Sequence, residues 1–172
     1  IDPSHIESTW PVARFDAKVH INAAIDRTLN GTIDINNAKP GPFDQNELPI
    51  HTLKARIGGR TDRIVLSDIV LDMGKAGQFT GEGFFSSEKS ALVLETSRFD
   101  LHEINSRIRQ TRVAGTVGFV EADDQQEFTV KLGENHIRLD AHVVKEAGQI
   151  ALKKIVLKAD RSELHLEGNL SL

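Results

Sequence analysis

Apolar and polar residues alternate one by one over much of this chain. In segment 163–172, Leu164, Leu166 and Leu170 share one parity, and polar residues occupy the other. Segments 127–132 and 137–143 show the same alternation. A period of two places successive side chains on opposite faces of a strand, as in a half-buried antiparallel sheet, whereas strands buried on both faces carry continuous apolar runs. The sequence therefore predicts an all-β fold of mostly antiparallel strands.

The alternation slips by one residue at two places. In segment 64–71, Ile64 and Leu66 share a parity, but the next apolar pair, Ile69 and Leu71, has shifted past an extra residue at Ser67-Asp68. Segment 150–157 repeats the slip. An extra residue keeps both pairs on one face only if the strand forms a bulge or corner there, so we expect the sheet to curve at these points.

Segments of the first half of the chain return in the second half. Segment 63–71 returns as 149–157, segment 53–57 as 139–143, segment 29–33 as 113–117, and segment 79–83 in shortened form at 166–168. A long internal match predicts structural repeats. We expect one unit at residues 1–98 and a second at 99–172, both within one continuous β structure. The proline-rich stretch 36–49 is interpreted as a loop inserted in the first unit or as an edge strand.

Two short helices are expected beside the strands. Asp100 is placed to cap one, with Glu103 three residues on and Phe99 and Ile104 at the two staple positions; this helix should end near Arg107. The other should begin in segment 1–8, with an aspartate cap followed by proline at the first helical position.

Candidate catalytic chemistry is sparse. The seven histidines lack the spacing of a zinc helix, and the chain has no cysteine to complete a site. His142 and His165 fall on polar strand faces, and Asp123-Asp124 reads as a hairpin loop. The glycines of segment 74–77 lack the Ser or Thr of a phosphate-binding loop and precede a strand, which favours a turn. We expect no enzyme activity, no catalytic residue, no cofactor and no metal.

Composition narrows the choice of partner. The net charge is −4, with 21 basic and 25 acidic residues spread evenly, so a nucleic-acid partner is not expected. The sequence begins with Ile rather than Met, and we expect it to be a fragment of a longer protein.

Each expected strand carries one apolar face. Each Å² of apolar surface that stays in water costs about 25 cal/mol, so such a face has to be covered. The sheet can fold on itself as a sandwich, or it can curve into a trough that accepts an apolar ligand. The face is mostly Ile, Leu and Val, and such walls suit acyl chains. The residues expected to line a lipid groove are Ile33, Ile35, Leu53, Ile57, Leu66, Ile69, Leu71, Leu92, Leu94, Val117, Phe119, Phe128, Val130, Ile137, Leu139, Val143, Leu152, Ile155, Leu157, Leu164, Leu166 and Leu170.

These motifs resemble the TamB family, which is related to the AsmA-like lipid-transfer proteins of Gram-negative envelopes. The resemblance covers essentially the whole chain. It rests on four paired segments: 1–3 with 99–101, Gly31-Thr32 with Gly115-Thr116, the two Ile-Val-Leu segments, and 79–83 with 166–168. It implies an elongated, U-shaped β-taco with an apolar groove in the periplasm. It also implies an inner-membrane anchor outside this segment, phospholipid transport between the membranes, and an outer-membrane barrel as partner.

Two functions follow as expectations. One is a segment of a lipid conduit in which the aliphatic wall shields acyl chains while head groups stay in water. The alternative is a docking scaffold with a closed core and no ligand, whose strand edges pair with an envelope protein. In either case the end strands should pair with neighbouring repeats of the same chain, or dimerise when isolated.

Overall fold

A computed structural model describes residues 11–171 of the chain. The helix expected within segment 1–8 lies outside these residues. The described strands are β1 (Phe15–Ala23), β2 (Leu29–Asn37), β3 (Thr52–Arg60), β4 (Arg63–Asp72), β5 (Gln78–Ser86), β6 (Lys89–Phe99), β7 (Val113–Ala122), β8 (Gln125–Glu134), β9 (Ile137–Glu146), β10 (Gln149–Ala159) and β11 (Ser162–Ser171).

Within the described residues, eleven strands form one sheet in chain order from β1 to β11. Every neighbouring pair is antiparallel. The sheet is open, because β1 and β11 lie at opposite edges and are not paired with each other. The prediction of an all-β, antiparallel fold is confirmed.

Both predicted slips are bulges. The register of β4 shifts between Leu66 and Ile69, and the register of β10 shifts between Leu152 and Ile155. In the first bulge Asp68 has a positive φ of 49°, a conformation in which aspartate is one of the better tolerated residues. Each bulge adds one residue and restores the same facing on either side.

The two ends of the sheet differ. At the end where β1, β3, β5, β7 and β9 finish, short turns join the strands. The Asp123-Asp124 turn has two positive φ values, 51° and 61°, as tight hairpins require. At the other end, β2, β4 and β6 are followed by the longer connections 38–51, 73–77 and 100–112. The predicted turns at 74–77 and 123–124 are both present.

The longer connections contain three short 3-10 turns in the described part of the chain: Phe43–Gln45, Gly74–Ala76 and Leu101–Glu103. The first lies in the proline-rich stretch, which forms a connection rather than a strand from residue 38 to residue 51. The first two residues of the proline-rich stretch, Asn36 and Asn37, belong to β2.

The helix expected after Phe99 is only a single 3-10 turn. Asp100 caps it as predicted and accepts a hydrogen bond from the His102 amide. The expectation that it reaches Arg107 is wrong, because the turn ends at Glu103. The same Asp100 oxygen also accepts from the amide of Thr111, which brings the far end of the connection back to its start.

The main core lies where these connections meet the sheet. Phe79, Phe99, Val113 and Leu132 are buried together with Ala76 of the second 3-10 turn. The Phe79 and Phe99 rings meet edge to face, with centroids 4.8 Å apart, an arrangement favoured by the ring quadrupoles. Side chains of the connections, among them Ala76, Leu101 and Ile104, cover the sheet here.

Thr111 provides a test of this closure. Its hydroxyl accepts from the Leu101 amide at 2.8 Å and donates to the Phe99 carbonyl at 3.2 Å. Thr111→Val should lower the free energy of unfolding by about 1–3 kcal/mol, because two buried backbone groups lose their partner. Denaturant titration measures the change. Thr32→Val, at an exposed position of β2, is the control and should change the free energy of unfolding by less than about 0.5 kcal/mol. An equal loss of unfolding free energy in both variants would show that the hydrogen bonds of the Thr111 hydroxyl do not stabilise the fold.

Candidate functional site: an apolar sheet face and a loop latch

Directly paired residues of antiparallel strands project from the same face of a sheet. The strand register therefore assigns each side chain to one of two faces. Every residue predicted to line the groove falls on one of them, here called the apolar face. They are Ile33 and Ile35 on β2, Leu53 and Ile57 on β3, Leu66, Ile69 and Leu71 on β4, Leu92 and Leu94 on β6, Val117 and Phe119 on β7, Phe128 and Val130 on β8, Ile137, Leu139 and Val143 on β9, Leu152, Ile155 and Leu157 on β10, and Leu164, Leu166 and Leu170 on β11.

The bulges make this common facing possible. On β4, Leu66 and Ile69 are three residues apart, yet they pair with Gly83 and Gly81, which are two residues apart on β5. A Cβ at Gly81 would lie 1.9 Å from the carbonyl oxygen of Val93. Glycine is therefore required at this close approach of two backbones.

Only part of the apolar face is hidden from water. Ile57 and Ile69 are 8% and 4% exposed. Towards the β11 edge, Phe128 is 44%, Leu164 50% and Leu170 57% exposed. Exposed apolar side chains thus recur on β8, β10 and β11, and clustered exposed apolar groups are a usual mark of a binding surface.

Sequence reasoning omitted several members of this face. By register, Val19 and Ile21 of β1 belong to it opposite Ile33 and Gly31, and Leu132 belongs to it opposite Leu139. The period-two alternation of β1, from Phe15 to Ala23, was a signal that could have found the first two.

The opposite face is less polar than expected. The register aligns Val65, Phe84, Ala91 and Val120 in one row across β4 to β7. The guanidinium carbon of Arg63 lies 3.8 Å from the Phe84 ring centroid, so a cation covers part of this row. The second face is therefore partly apolar here, because Val, Phe and Ala fill positions of this row.

A cleft also opens on this opposite face beside the β4 bulge. Its volume is about 650 Å³. Carboxylates of Asp68, Glu82 and Glu95 line it together with Val70 and Val93. Because its walls mix acidic and apolar groups, it does not match a purely aliphatic ligand.

Ion pairs occupy the opposite face near the β11 edge. His165 Nε2 lies 2.7 Å from a carboxylate oxygen of Glu163, and Lys158 Nζ lies 2.9 Å from the same oxygen. The Lys158 hydrogen bond is the main cause that lowers the pKa of Glu163. His142 Nε2 lies 2.9 Å from Glu127 but makes no well-aligned hydrogen bond. His142 and His165 are thus on polar strand positions, as predicted.

Two of the long connections are joined to form a loop latch, defined as residues 38–51 and 100–112. The Phe43 amide donates to the Ile104 carbonyl at 2.9 Å. The Asp44 carboxylate accepts from both the amide and the hydroxyl of Ser106. The Ser106 hydroxyl is the main cause that lowers the pKa of Asp44. The latch therefore connects the end of β2 to the end of β6.

The latch also contacts the apolar face. Leu101 and Ile104 pack against the cluster that contains Phe99, Val113 and Leu132. These three residues continue the apolar face at the ends of β6, β7 and β8. The latch consequently closes one margin of that face.

Comparison with protein-family models, curated proteins and solved structures found no match to this chain. Among residues 11–171, no cluster of three or more His, Asp or Glu side chains is placed to hold a metal ion. The same described residues include no helix of the length and apolarity needed to cross a membrane.

Asp44→Ala tests whether the latch depends on the Asp44–Ser106 contact. Without the carboxylate, the amides of Phe43 and Ser106 should exchange hydrogen faster than in the unchanged protein. Asp62→Ala, at an exposed hairpin turn, is the control and should leave both rates unchanged.

Acid should loosen the same contact. The folded-state pKa of Asp44 is lowered, so its stabilisation is complete above the ordinary aspartate pKa of about 4 and is lost as pH falls through the lowered value. Protection factors remove the pH dependence of intrinsic amide exchange. If those of Phe43 and Ser106 change neither with Asp44→Ala nor with acid, the latch is refuted.

Proposed function

We propose that this chain is a segment of a lipid conduit. In this proposal the apolar face binds phospholipid acyl chains and shields them from water while head groups stay in solvent. The observation that carries the proposal is the half-exposed aliphatic surface that runs from β2 to β11 on one side of a single sheet. Resemblance to the TamB family, stated from the sequence, agrees with this role.

Energetics support an apolar ligand. Each methylene that an acyl chain buries contributes about 0.8 kcal/mol, so a chain of ordinary length gains much by lying on this face. The side chains that remain exposed, such as Leu164, Leu166 and Leu170, lose their water at the same time. Binding therefore removes apolar surface of both the acyl chain and the sheet from water.

Uniform aliphatic walls also favour movement. Leu, Ile and Val side chains offer no hydrogen bond that would hold a lipid at one position, so an acyl chain meets similar contacts as it advances. Such a conduit needs no catalytic residue and no cofactor. We propose no enzyme activity for this chain.

The proposed shape is an elongated, U-shaped β-taco with two related units. The bulges of β4 and β10 favour bending at corresponding points of two hairpins, β3–β4 and β9–β10. The two proposed units correspond most closely in these hairpins. They differ just before them, because a loop joins β2 to β3 in the first unit, whereas strand β8 lies between β7 and β9 in the second. The division at residue 98 remains a prediction.

We place this segment in the periplasm of a Gram-negative cell, within a longer protein anchored in the inner membrane. Its proposed partners are phospholipid, an outer-membrane barrel protein and neighbouring repeats of the same chain. The last of these would pair with the open edges at β1 and β11, since an unpaired edge offers free backbone donors and acceptors.

A second function is supported by the same edges. Val19 and Ile21 on β1 are 53% and 56% exposed, as are comparable residues on β11. In this alternative, an envelope protein adds a strand to one edge and the apolar face serves as an ordinary core within the assembly. The two functions differ in whether lipid occupies the apolar face.

Leu166→Asp should separate them. A carboxylate against acyl chains costs more than the roughly 1.4 kcal/mol that a factor of ten represents, so bound phospholipid should fall about tenfold or more while the fold is retained. Leu139→Asp should act in the same way. Asn169→Asp adds the same charge to the opposite face of β11 and should leave lipid binding unchanged. Mass spectrometry of organic extracts from protein purified without detergent measures the bound lipid.

Crosslinking gives an independent test. A photoreactive residue at position 166 should form lipid adducts, whereas one at position 165, on the opposite face of β11, should not. Adducts confined to position 165, or lipid content equal in Leu166→Asp and Asn169→Asp, would rule out the conduit and favour the scaffold.

A further inference from the structure

Four arginines surround one margin of the apolar face. Arg107, Arg109 and Arg112 lie in the latch, and Arg98 is at the end of β6. Segment 98–112 carries these four cations against Asp100 and Glu103. Within the described residues, none of the four guanidinium groups forms a salt bridge. The charge of Arg107 helps to lower the pKa of the Asp44 carboxyl, so Arg98, Arg109 and Arg112 are the three cations most available to an anionic ligand.

The backbone that presents them is tied down. His102 Nδ1 donates to the Ile108 carbonyl at 2.7 Å, and the Arg107 amide donates to the Asn105 side chain at 3.0 Å. The Arg112 amide donates to Glu134 at 2.5 Å. An ordered loop loses less conformational entropy on binding than a mobile one, so these bonds prepare the arginines for a ligand.

Apolar side chains stand among these cations. Ile108, between Arg107 and Arg109, is 40% exposed, and Phe43 on the other half of the latch is 47% exposed. Exposed apolar groups beside arginines match the boundary between lipid head groups and acyl chains. A free inorganic anion would gain nothing from Ile108 or Phe43.

A cavity of about 300 Å³ lies at the same margin. Arg98, Gln110, Thr111 and Arg112 line it with Asp100 and Glu134. Asp100 accepts from the amides of His102 and Thr111, and Glu134 accepts from the Arg112 amide. Both carboxylates keep their negative charge, so the cavity carries as many acidic as basic groups. The two arginine side chains remain the groups in this cavity that suit a phosphate, which guanidinium binds through paired hydrogen bonds.

We propose that these arginines select phospholipids whose head groups carry a net negative charge. The phosphate would lie at the arginine margin, and the acyl chains would extend from the latch residues Leu101 and Ile104 onto the apolar face. This inference rests on the proposed function and names the class of lipid that the conduit prefers. The latch would set both the position and the charge of the head group.

Transfer of labelled lipids to the full chain tests the proposal. The probes are phosphatidylglycerol and phosphatidylcholine with identical fluorescent acyl chains, which differ only in head-group charge. The unchanged protein should prefer phosphatidylglycerol. Arg107→Gln with Arg109→Gln should reduce affinity for phosphatidylglycerol by roughly 25-fold, since each basic residue near an anionic head group contributes about fivefold, and should leave phosphatidylcholine binding nearly unchanged.

Lys153→Gln with Lys154→Gln is the matched control. It removes the same two charges from β10, away from the latch, and should keep the preference for phosphatidylglycerol. Raised salt should weaken the preference in the unchanged protein, because exposed charges are screened. Circular dichroism and denaturant titration confirm that both double variants are folded before binding is compared.

The possible results separate head-group selection, the assignment of a lipid and the conduit itself. Equal binding of the two lipids by the unchanged protein, or equal loss in both double variants, overturns head-group selection and leaves the conduit intact. Complete competition by inorganic phosphate at constant ionic strength overturns the lipid assignment in favour of a free-anion site. Absence of binding to either lipid overturns the conduit itself and with it this inference.

Discussion

One constraint governs this structure: a sheet with an aliphatic face must remove that face from water, and the described chain supplies no second layer to do so. Backbone hydrogen bonds between consecutive strands hold the sheet together, but they do nothing for the side chains that project from it. The chain itself covers the margin near Phe99 and Leu132, whereas side chains at the β11 edge such as Leu164 and Leu170 stay half exposed. The proposed function starts from this uncovered part of the face.

The bulges connect that constraint to the sequence. Without the extra residue at Ser67-Asp68, the apolar residues beyond it would turn to the other side of β4. The same device in β10 keeps Leu152 and Ile155 on the apolar face. A continuous aliphatic surface therefore depends on two local departures from regular strand geometry as much as on the alternation itself.

The latch gives the sheet two unlike margins. At one, the connections after β2 and β6 are joined through Asp44 and Ser106 and cover apolar side chains. At the other, tight turns leave the strand ends bare. An amphipathic ligand has a similar asymmetry, with a charged end and an apolar body, and the arginines beside Ile108 lie at the margin that the charged end would occupy. In the proposed conduit, the same loop would both close this margin and contact the head group.

Much of the fold could be read from the sequence because period-two alternation is a local signal. It predicted the antiparallel strands, the slips at both bulges and the common facing of residues as distant as Ile33 and Leu170. The cap at Asp100 was also visible, although the length of its helix was not. The chain after Glu103 instead returns to Asp100, whose carboxylate oxygen also accepts from the Thr111 amide. The place of Val19 and Ile21 of β1 on the apolar face was missed, although the alternation of β1 was present in the sequence.

The sequence by itself determined which side chains share a face, since strand geometry converts alternation directly into facing. Tertiary structure alone decided that the strands form one open sheet in chain order, that Val65 and Phe84 create an apolar row on the second face, and that Asp44 meets Ser106. These features depend on contacts between residues far apart in the chain. No local pattern encodes such contacts, because they arise only when strand register and loop closure bring distant segments together.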